Sequence, residues 1–158
     1  MPHVLVVDDQ PEVCATVEMA LEELGRYRVS CARTGNEALP ILDRDRPDLV
    51  LLDAIMPGMP ALEFALHSTE RGIPILVMTG HPDMIKRLDL LGLPYLRKPF
   101  HLDQLLVECA ATIIECKQNL VTVRAALDRL LSNRDELARL VERARRSVEG
   151  SPGRRAED

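Results

Sequence analysis

Short apolar segments alternate with helical patterns over the first 116 residues of the chain. Five segments have the length and composition of strands, and the third of them shows no alternation of apolar and polar residues, which is typical of a strand covered on both faces. The predicted strands are residues 3–7, 27–32, 48–52, 73–78 and 93–96. Because a helical pattern follows each strand, the sequence predicts a parallel sheet with right-handed crossovers in a three-layer α/β fold.

Proline, glycine and capping residues predict where the helices begin and end. Pro11 opens the first helix, which ends at Leu24 before Gly25, and the segment from Thr34 to Glu37 has the spacing of a capping box that starts the second helix. The second helix is predicted to reach about Asp43. The third is predicted to follow a proline-rich loop at 56–60 and to end at Gly72. The fourth is predicted to span 82–91 before Gly92, and the fifth to start near His101.

A heptad pattern replaces the strand pattern after Cys116. Two apolar sets, three residues apart, repeat as they do in a coiled coil: Ile113, Leu120, Leu127, Val141 and Val148, and Val123, Leu130, Leu137 and Ala144. Arg134 interrupts the first set and residues 132–136 offer a new helix start, so a straight coiled coil and a helical hairpin both remain open. Residues 117–149 are therefore predicted to be a helical extension, and 150–158, rich in Gly, Pro and charge, to be disordered.

Composition fits a globular protein in the cytoplasm. Of the 158 residues, 46% are apolar and only 3% are aromatic, so the core must consist of aliphatic side chains and Met. No apolar segment approaches the roughly 18 residues of a membrane span, and the start of the chain lacks the pattern of a secretory signal. We expect no membrane association. Without a C-x-x-C spacing, the four cysteines are predicted to be free thiols: Cys14, Cys31, Cys109 and Cys116.

Charge is distributed unevenly. Residues 1–116 carry 10 Lys and Arg against 18 Asp and Glu, whereas residues 117–158 carry 10 against 7. The acidic first part makes general nucleic-acid binding unfavourable.

Polar residues directly follow four of the predicted strands. Asp8 and Asp9 follow the first strand, Asp53 the third, Thr79 the fourth and Lys98 the fifth. Because parallel strands end at one edge of the sheet, we expect these side chains to converge there. Three neighbouring carboxylates repel one another, so either one of them takes up a proton or a cation binds among them. All-oxygen ligation would favour Mg²⁺ or Mn²⁺ as that cation. Beside the metal, Lys98 and Thr79, the carboxylate of Asp53 could accept a phosphoryl group.

The segments VLVVDDQ, LLDAIMPGMP, ILVMTG and YLRKPF resemble the four signatures of the bacterial response-regulator receiver (CheY-like) family, over roughly residues 3–116. The resemblance implies a flavodoxin-like fold whose five-stranded parallel sheet has the order 2-1-3-4-5, the order known for CheY. It also implies that Asp9, Asp53 and the backbone carbonyl of Ile55 ligate Mg²⁺, while Asp8 acts mainly through a metal-bound water.

Further roles are implied by the same resemblance. Asp53 would be the phosphoacceptor for a sensor histidine kinase or phosphotransfer protein, and Thr79 and Tyr95 would form a switch pair. The peptide bond between Lys98 and Pro99 would be cis. Such a receiver catalyses its own phosphotransfer and dephosphorylation and is not an enzyme that turns over a separate substrate.

Some positions depart from the family pattern. Pro60 and Ala61 stand where Asp-Gly is common, which suggests a stiffer loop before the third helix. Ile55 is expected to impede the attacking water and so to slow the loss of phosphate. His81 either assists hydrolysis or is an exposed residue without a role. The remaining histidines are assigned no role: His3, His67 and His101.

The function of the extension stays open. It could mediate homodimerisation or docking through an extended last helix, pack on its own receiver, or link the receiver to a further module of a larger regulator or hybrid kinase. A heptad pattern of about 40 residues does not fit most winged-helix outputs, so we expect no direct DNA binding.

Two other functions are considered for the site. A phosphorylation-independent adaptor could retain the pocket without using it. An aspartyl-phosphate hydrolase would need Asp-x-Asp after the first strand, whereas Asp8 and Asp9 are adjacent.

Overall fold

The computed structural model describes residues 1–132 and, beyond them, residues 138, 139, 141–143, 145 and 146. The chain divides into two compact units, Met1–Cys116 and Lys117–Asp158. The prediction of disorder over 150–158 lies outside the described residues, as does the prediction of a second helix start near Arg134. The same is true of the heptad positions Leu137, Ala144 and Val148.

Strands and helices alternate throughout the first unit. The strands are β1 (His3–Val7), β2 (Arg28–Ala32), β3 (Leu49–Asp53), β4 (Ile75–Thr79) and β5 (Tyr95–Arg97). The helices are α1 (Pro11–Glu23), α2 (Gly35–Asp45), α3 (Ala61–Glu70), α4 (Pro82–Leu91) and α5 (Leu102–Ser132).

The helix boundaries show the predicted local chemistry. Pro11 occupies the first turn of α1. At α2, the Thr34 hydroxyl accepts the backbone N–H of Glu37 at 3.1 Å and so satisfies one donor that the first helical turn leaves unpaired. Helix α4 ends at Gly92 in the left-handed region (φ 66°), a conformation that glycine adopts without steric cost.

Four strands begin later than the sequence predicted: β2 and β3 by one residue, and β4 and β5 by two. Strand β4 starts at Ile75 because the N–H of Ile73 donates to the carbonyl of Ser68 and closes the end of α3. Strand β5 starts at Tyr95 because the N–H of Leu93 is used in the same way at the end of α4. Residues that looked like strand from their side chains therefore complete helix ends.

All pairings in the sheet are parallel and its order is β2-β1-β3-β4-β5, which confirms the predicted flavodoxin-like fold. Val7 pairs with Ala32 on one side and Leu52 on the other, and Asp53 pairs with Met78. The central strands thus end within one residue of one another, and the residues that follow them lie at one edge of the sheet.

The core consists of two apolar layers, one on each face of the sheet. Along β1, Leu5 and Val7 face the layer that contains Phe64 of α3, whereas Val4 and Val6 face the layer that contains Leu105 of α5. Strands β1, β3 and β4 are buried over their whole length. Burial on both faces makes the sheet a rigid support for the loops at its edge.

Helix α5 continues well past the end of the receiver unit. Ile113, the first residue of the predicted heptad set, is buried in the core layer of the sheet, whereas Leu120, one heptad later, is 57% exposed. Ile113 therefore belongs to the receiver core. No helix among the described residues is both long enough and apolar enough to cross a membrane.

All four cysteines are free, as predicted. Cys14 and Cys109 are buried and Cys116 is half-buried, whereas Cys31, on the edge strand β2, is exposed.

Candidate functional site

Three carboxylates meet at the carboxyl edge of the sheet. Asp8 and Asp9 directly follow β1, and Asp53 is the last residue of the neighbouring strand β3. One carboxylate oxygen of each residue lies within 4.8 Å of the others. Asp8 and Asp53 are buried, whereas Asp9 is exposed. The edge therefore carries a compact group of three carboxylates, two of which are shielded from water.

Asp8 has one satisfied and one unsatisfied oxygen. Its Oδ1 accepts the backbone N–H of Gln10 at 2.9 Å, and its own N–H donates to the carbonyl of Ala32 at 3.0 Å. Its Oδ2 is buried, and no donor among the described residues reaches it. Burial raises the pKa of Asp8, and the negative charge of Asp53 raises it further, although the hydrogen bond from Gln10 lowers it.

A divalent cation fits this group of residues. A buried carboxylate oxygen without a partner is costly, and a cation bound between the three carboxylates would remove that cost and their mutual repulsion. The donors are all oxygen atoms, which favours Mg²⁺ or Mn²⁺ over zinc or copper.

The ammonium group of Lys98 contacts Asp53. Its Nζ lies 3.3 Å from Asp53 Oδ1, and the same oxygen accepts the backbone N–H of Ile55 at 3.3 Å. The N–H of Lys98 donates to the carbonyl of Thr79 at 2.9 Å and joins the end of β5 to the end of β4. The peptide bond between Lys98 and Pro99 is cis.

The Thr79 hydroxyl lies at the same edge. Thr79 ends β4, is 3% exposed, and its Oγ1 accepts the N–H of His81 at 3.1 Å. That bond uses an oxygen lone pair and leaves the hydroxyl hydrogen able to donate. Gly80 was not singled out from the sequence, yet a Cβ there would lie 3.0 Å from the Lys98 carbonyl oxygen. Its lack of a side chain allows the two loops to approach closely.

Tyr95 lies away from the three carboxylates at the carboxyl edge of the sheet. It is the first residue of β5 and pairs with Val77, whereas Thr79 pairs with Arg97 near the end of the strand. The ring is half-buried against the apolar layer on the α4 side of the sheet. Burial raises the pKa of the Tyr95 phenol, and the negative charge of Asp89 on α4 raises it further.

Two exposed residues border the site. The Ile55 side chain is 67% exposed, and its backbone lies against the Asp53 carboxylate. His81 is exposed at the start of α4 and contacts the Thr79 hydroxyl through its backbone N–H. Pro60 precedes α3 and provides no side-chain cap for that helix.

The fold and the site together define a class of α/β proteins that carry an acidic pocket, a hydroxyl and an ammonium group at the carboxyl edge of a parallel sheet. The model of the response regulator receiver domain matches residues 4–110. The chain belongs to the response regulator receiver domain family, as the sequence motifs indicated.

Relatives and solved structures agree with this family. The chain is 40% identical to the response regulator MprA of Mycolicibacterium vanbaalenii over 70% of its own length and 50% of the relative's. It is 35% identical to the response regulator MprA of Mycobacterium leprae, over 92% and 66% of the two chains. Among solved structures, the chemotaxis protein CheY4 of Vibrio cholerae is 31% identical, with a TM-score of 0.63 over 71% of this chain and 98% of that one.

The chain spans between half and two thirds of the length of these curated relatives.

Proposed function

We propose that this receiver accepts a phosphoryl group on Asp53 from the phosphohistidine of a sensor histidine kinase or phosphotransfer protein. The observation that supports this most strongly is the position of the Asp53 carboxylate. It lies in contact with the Lys98 ammonium and beside the carboxylates of Asp8 and Asp9.

The chemistry follows from which Asp53 oxygen is available. Lys98 and the Ile55 N–H both contact Oδ1, so Oδ2 is the oxygen that attacks phosphorus. An O–P bond forms, the N–P bond of the phosphohistidine breaks, and the released imidazole takes up a proton. Lys98 neutralises charge on the transferred oxygens.

Mg²⁺ is the proposed cofactor, with Mn²⁺ as a substitute. Asp9, Asp53 and the Ile55 carbonyl would hold it, with Asp8 acting mainly through a metal-bound water. When bound, the ion supplies positive charge that offsets repulsion between the carboxylates and the incoming phosphoryl group.

The signal would leave the site through Thr79 and Tyr95. The Thr79 hydroxyl donates a hydrogen bond to a phosphoryl oxygen, and the Tyr95 ring turns inward as the hydroxyl moves. Phosphorylation thereby shifts an existing equilibrium between two conformations rather than creating a new one.

Labelling by a small phosphodonor tests the assignment of Asp53. The full chain is incubated with Mg²⁺ and radioactive acetyl phosphate, and D53N is compared with D83N, which removes an exposed carboxylate from α4. Wild type and D83N should be labelled, and D53N should not. EDTA should abolish labelling and added Mg²⁺ should restore it. Label retained by D53N would refute the assignment.

We expect no turnover of a separate substrate, because Asp8 and Asp9 are adjacent whereas an aspartyl-phosphate hydrolase of similar fold uses Asp-x-Asp. Hydrolysis of p-nitrophenyl phosphate by the wild type and not by D53N would revive the hydrolase. A phosphorylation-independent adaptor is the remaining alternative. It would bind its target equally well as wild type and as D53N in the presence of acetyl phosphate.

Helix α5 and the extension are the proposed surface for homodimerisation in the cytoplasm, with no direct DNA binding by the chain. Helix α5 runs without interruption from Leu102 to Ser132 and exposes Leu120 and Val121 beyond the receiver unit. Sedimentation of the full chain and of the double variant L120E/V121E, with and without acetyl phosphate, tests this. A wild type that stays monomeric in both states would exclude the homodimer.

A further inference from the structure

Helix α2 begins with a turn that neighbouring side chains hold in place. The Thr34 hydroxyl accepts the N–H of Glu37 at 3.1 Å, and the Glu37 carboxylate accepts the N–H of Arg33 at 3.0 Å. Both bonds join Glu37 to the residues just before the helix and restrict its first turn. Gly35, the first residue of α2, is buried in this turn.

The loop between β3 and α3 lies against this turn through Met59. A Cβ added to Gly35 would lie 3.1 Å from the Cβ of Met59, 3.2 Å from its Sδ and 3.4 Å from its Cγ. Gly35 has a helical backbone, which alanine adopts at least as readily as glycine. A side chain at this position is therefore opposed by Met59 and not by the backbone conformation.

Side-chain packing holds the middle of this loop. The N–H of Ala54 donates to a carbonyl of β4 at 3.0 Å, and the carbonyl of Pro60 accepts an N–H of α3 at 3.1 Å. Between these two anchors, residues 55–59 form no backbone–backbone hydrogen bond with the part of the chain that the structure describes. Met59 is half-buried and packs against the apolar layer on the α3 side of the sheet. Its contact with α2 therefore restrains a stretch that the backbone leaves unsupported.

The same loop carries Ile55 to the acidic pocket. The Ile55 N–H donates to Asp53 Oδ1 at 3.3 Å, and the Ile55 carbonyl is the proposed ligand of Mg²⁺. A Cβ on Gly35 would press on the Cβ of Met59, which is bonded to the backbone and does not move when the side chain rotates. The loop backbone itself would have to shift. Mg²⁺ requires near-ideal octahedral geometry, so a small shift of one ligand costs affinity.

We propose that Gly35 is a positioning residue: its lack of a side chain lets Met59 hold the β3–α3 loop against α2, and this contact keeps Ile55 in place for the metal site. The inference rests on the proposed function, in which the Ile55 carbonyl ligates Mg²⁺. A side chain at Gly35 should weaken Mg²⁺ binding about tenfold, the lower end of what the loss of outer support costs a metal site. The metal-free protein should stay folded, because alanine suits the start of a helix.

Mg²⁺ binding to the full chain, measured by isothermal titration calorimetry with magnesium chloride alone, tests the proposal. G35A should bind Mg²⁺ about tenfold more weakly than the wild type. R44A, which removes an exposed side chain from the last turn of α2, is the control and should bind as the wild type does. Urea unfolding in EDTA verifies that each variant is folded.

Substitutions at Met59 test the contact from the other side. M59A removes the Cγ and Sδ that fill the space beside Gly35 and should also weaken Mg²⁺ binding. M59L keeps a side chain of similar volume and should retain most of the wild-type affinity. If the two residues act through one contact, the loss of affinity in G35A/M59A should be smaller than the product of the two single losses. A loss equal to that product would show that they act independently and would overturn the proposal.

Methyl NMR of the metal-free protein separates this inference from the proposed function. The chain has six methionines, and comparison with M59L identifies the Met59 methyl resonance in protein labelled at the methionine methyl carbon. G35A should shift this resonance. An unshifted resonance would overturn the contact, and a shifted resonance with wild-type Mg²⁺ affinity would overturn the positioning role.

A wild type that neither binds Mg²⁺ nor accepts label would instead refute the proposed function and, with it, the role of Gly35 at the metal site. The methyl spectra would still decide whether Gly35 and Met59 are in contact.

Discussion

Lys98 Nζ and Asp53 Oδ1 lie 3.3 Å apart although 45 residues separate them along the chain. The contact exists because β3 and β5 flank β4 and all three strands run in the same direction. The contact places the Lys98 ammonium beside the carboxylate that we propose as the phosphoacceptor. It also links the end of β3 to the residue that follows β5.

Removal of the Lys98 charge should slow phosphorylation of Asp53. K98M keeps much of the apolar stem but loses the ammonium group that would neutralise the transferred oxygens, so we expect labelling by acetyl phosphate to slow by about 100-fold. K86M, an exposed lysine of α4 away from the pocket, is the matched control. Equal rates for K98M and wild type would contradict a role for this charge.

Asp8 should reduce the stability of the metal-free protein. Its Oδ2 is buried without a donor among the described residues, so D8N should increase the free energy of unfolding in EDTA by about 1–2 kcal/mol. The same variant should gain less stability from added Mg²⁺ than the wild type does. Urea unfolding in EDTA and in Mg²⁺ measures both effects. A D8N variant that is less stable in EDTA and gains as much from Mg²⁺ would show that the carboxylate is already satisfied.

Ile55 should lengthen the lifetime of the phosphorylated state. Its backbone N–H contacts the Asp53 carboxylate, and its exposed side chain carries no group that could orient an attacking water. I55N introduces an amide there and should speed loss of label from Asp53 by about tenfold, measured after removal of the phosphodonor. L66N, at an exposed apolar residue of α3, controls for a general effect of such a substitution. An unchanged lifetime in I55N would show that Ile55 does not control water.

His3 should make stability depend on pH. The side chain is 4% exposed, its Nδ1 accepts a hydrogen bond from Arg28 at 3.0 Å, and its Nε2 lies 2.8 Å from the Ser30 hydroxyl. Burial lowers the pKa of His3 below its ordinary value of 6.5, and the charge of Arg28 lowers it further, although Asp45 and Asp48 raise it.

Because the folded protein disfavours protonation, the stability from neutral His3 is fully present above pH 6.5 and is lost as the pH falls from there toward the lowered pKa. The free energy of unfolding should therefore decrease with acidification over that range. H3Q should show a smaller decrease, and H101Q, at an exposed histidine, should follow the wild type. Identical pH profiles for H3Q and wild type would contradict the prediction.

The sequence was most informative where local chemistry decides the outcome. Thr34 caps α2, Pro11 begins α1 and Gly92 ends α4, because each of these preferences depends on a few neighbouring backbone groups. It was less informative at Ile73 and Leu93, whose apolar side chains favoured strands although their N–H groups close helix ends. Hydrogen bonds to residues several positions earlier outweigh side-chain preference there.

The amino-acid order by itself determined that parallel strands would carry Asp8, Asp9, Asp53, Thr79 and Lys98 to one edge, because strand direction and crossover handedness leave few other topologies. Only the tertiary structure decided which oxygen of Asp8 lacks a donor and that the His3 ring contacts Arg28 and Ser30 of β2. These relationships depend on how helices and neighbouring strands pack, to within an ångström, and no spacing along the chain encodes such distances.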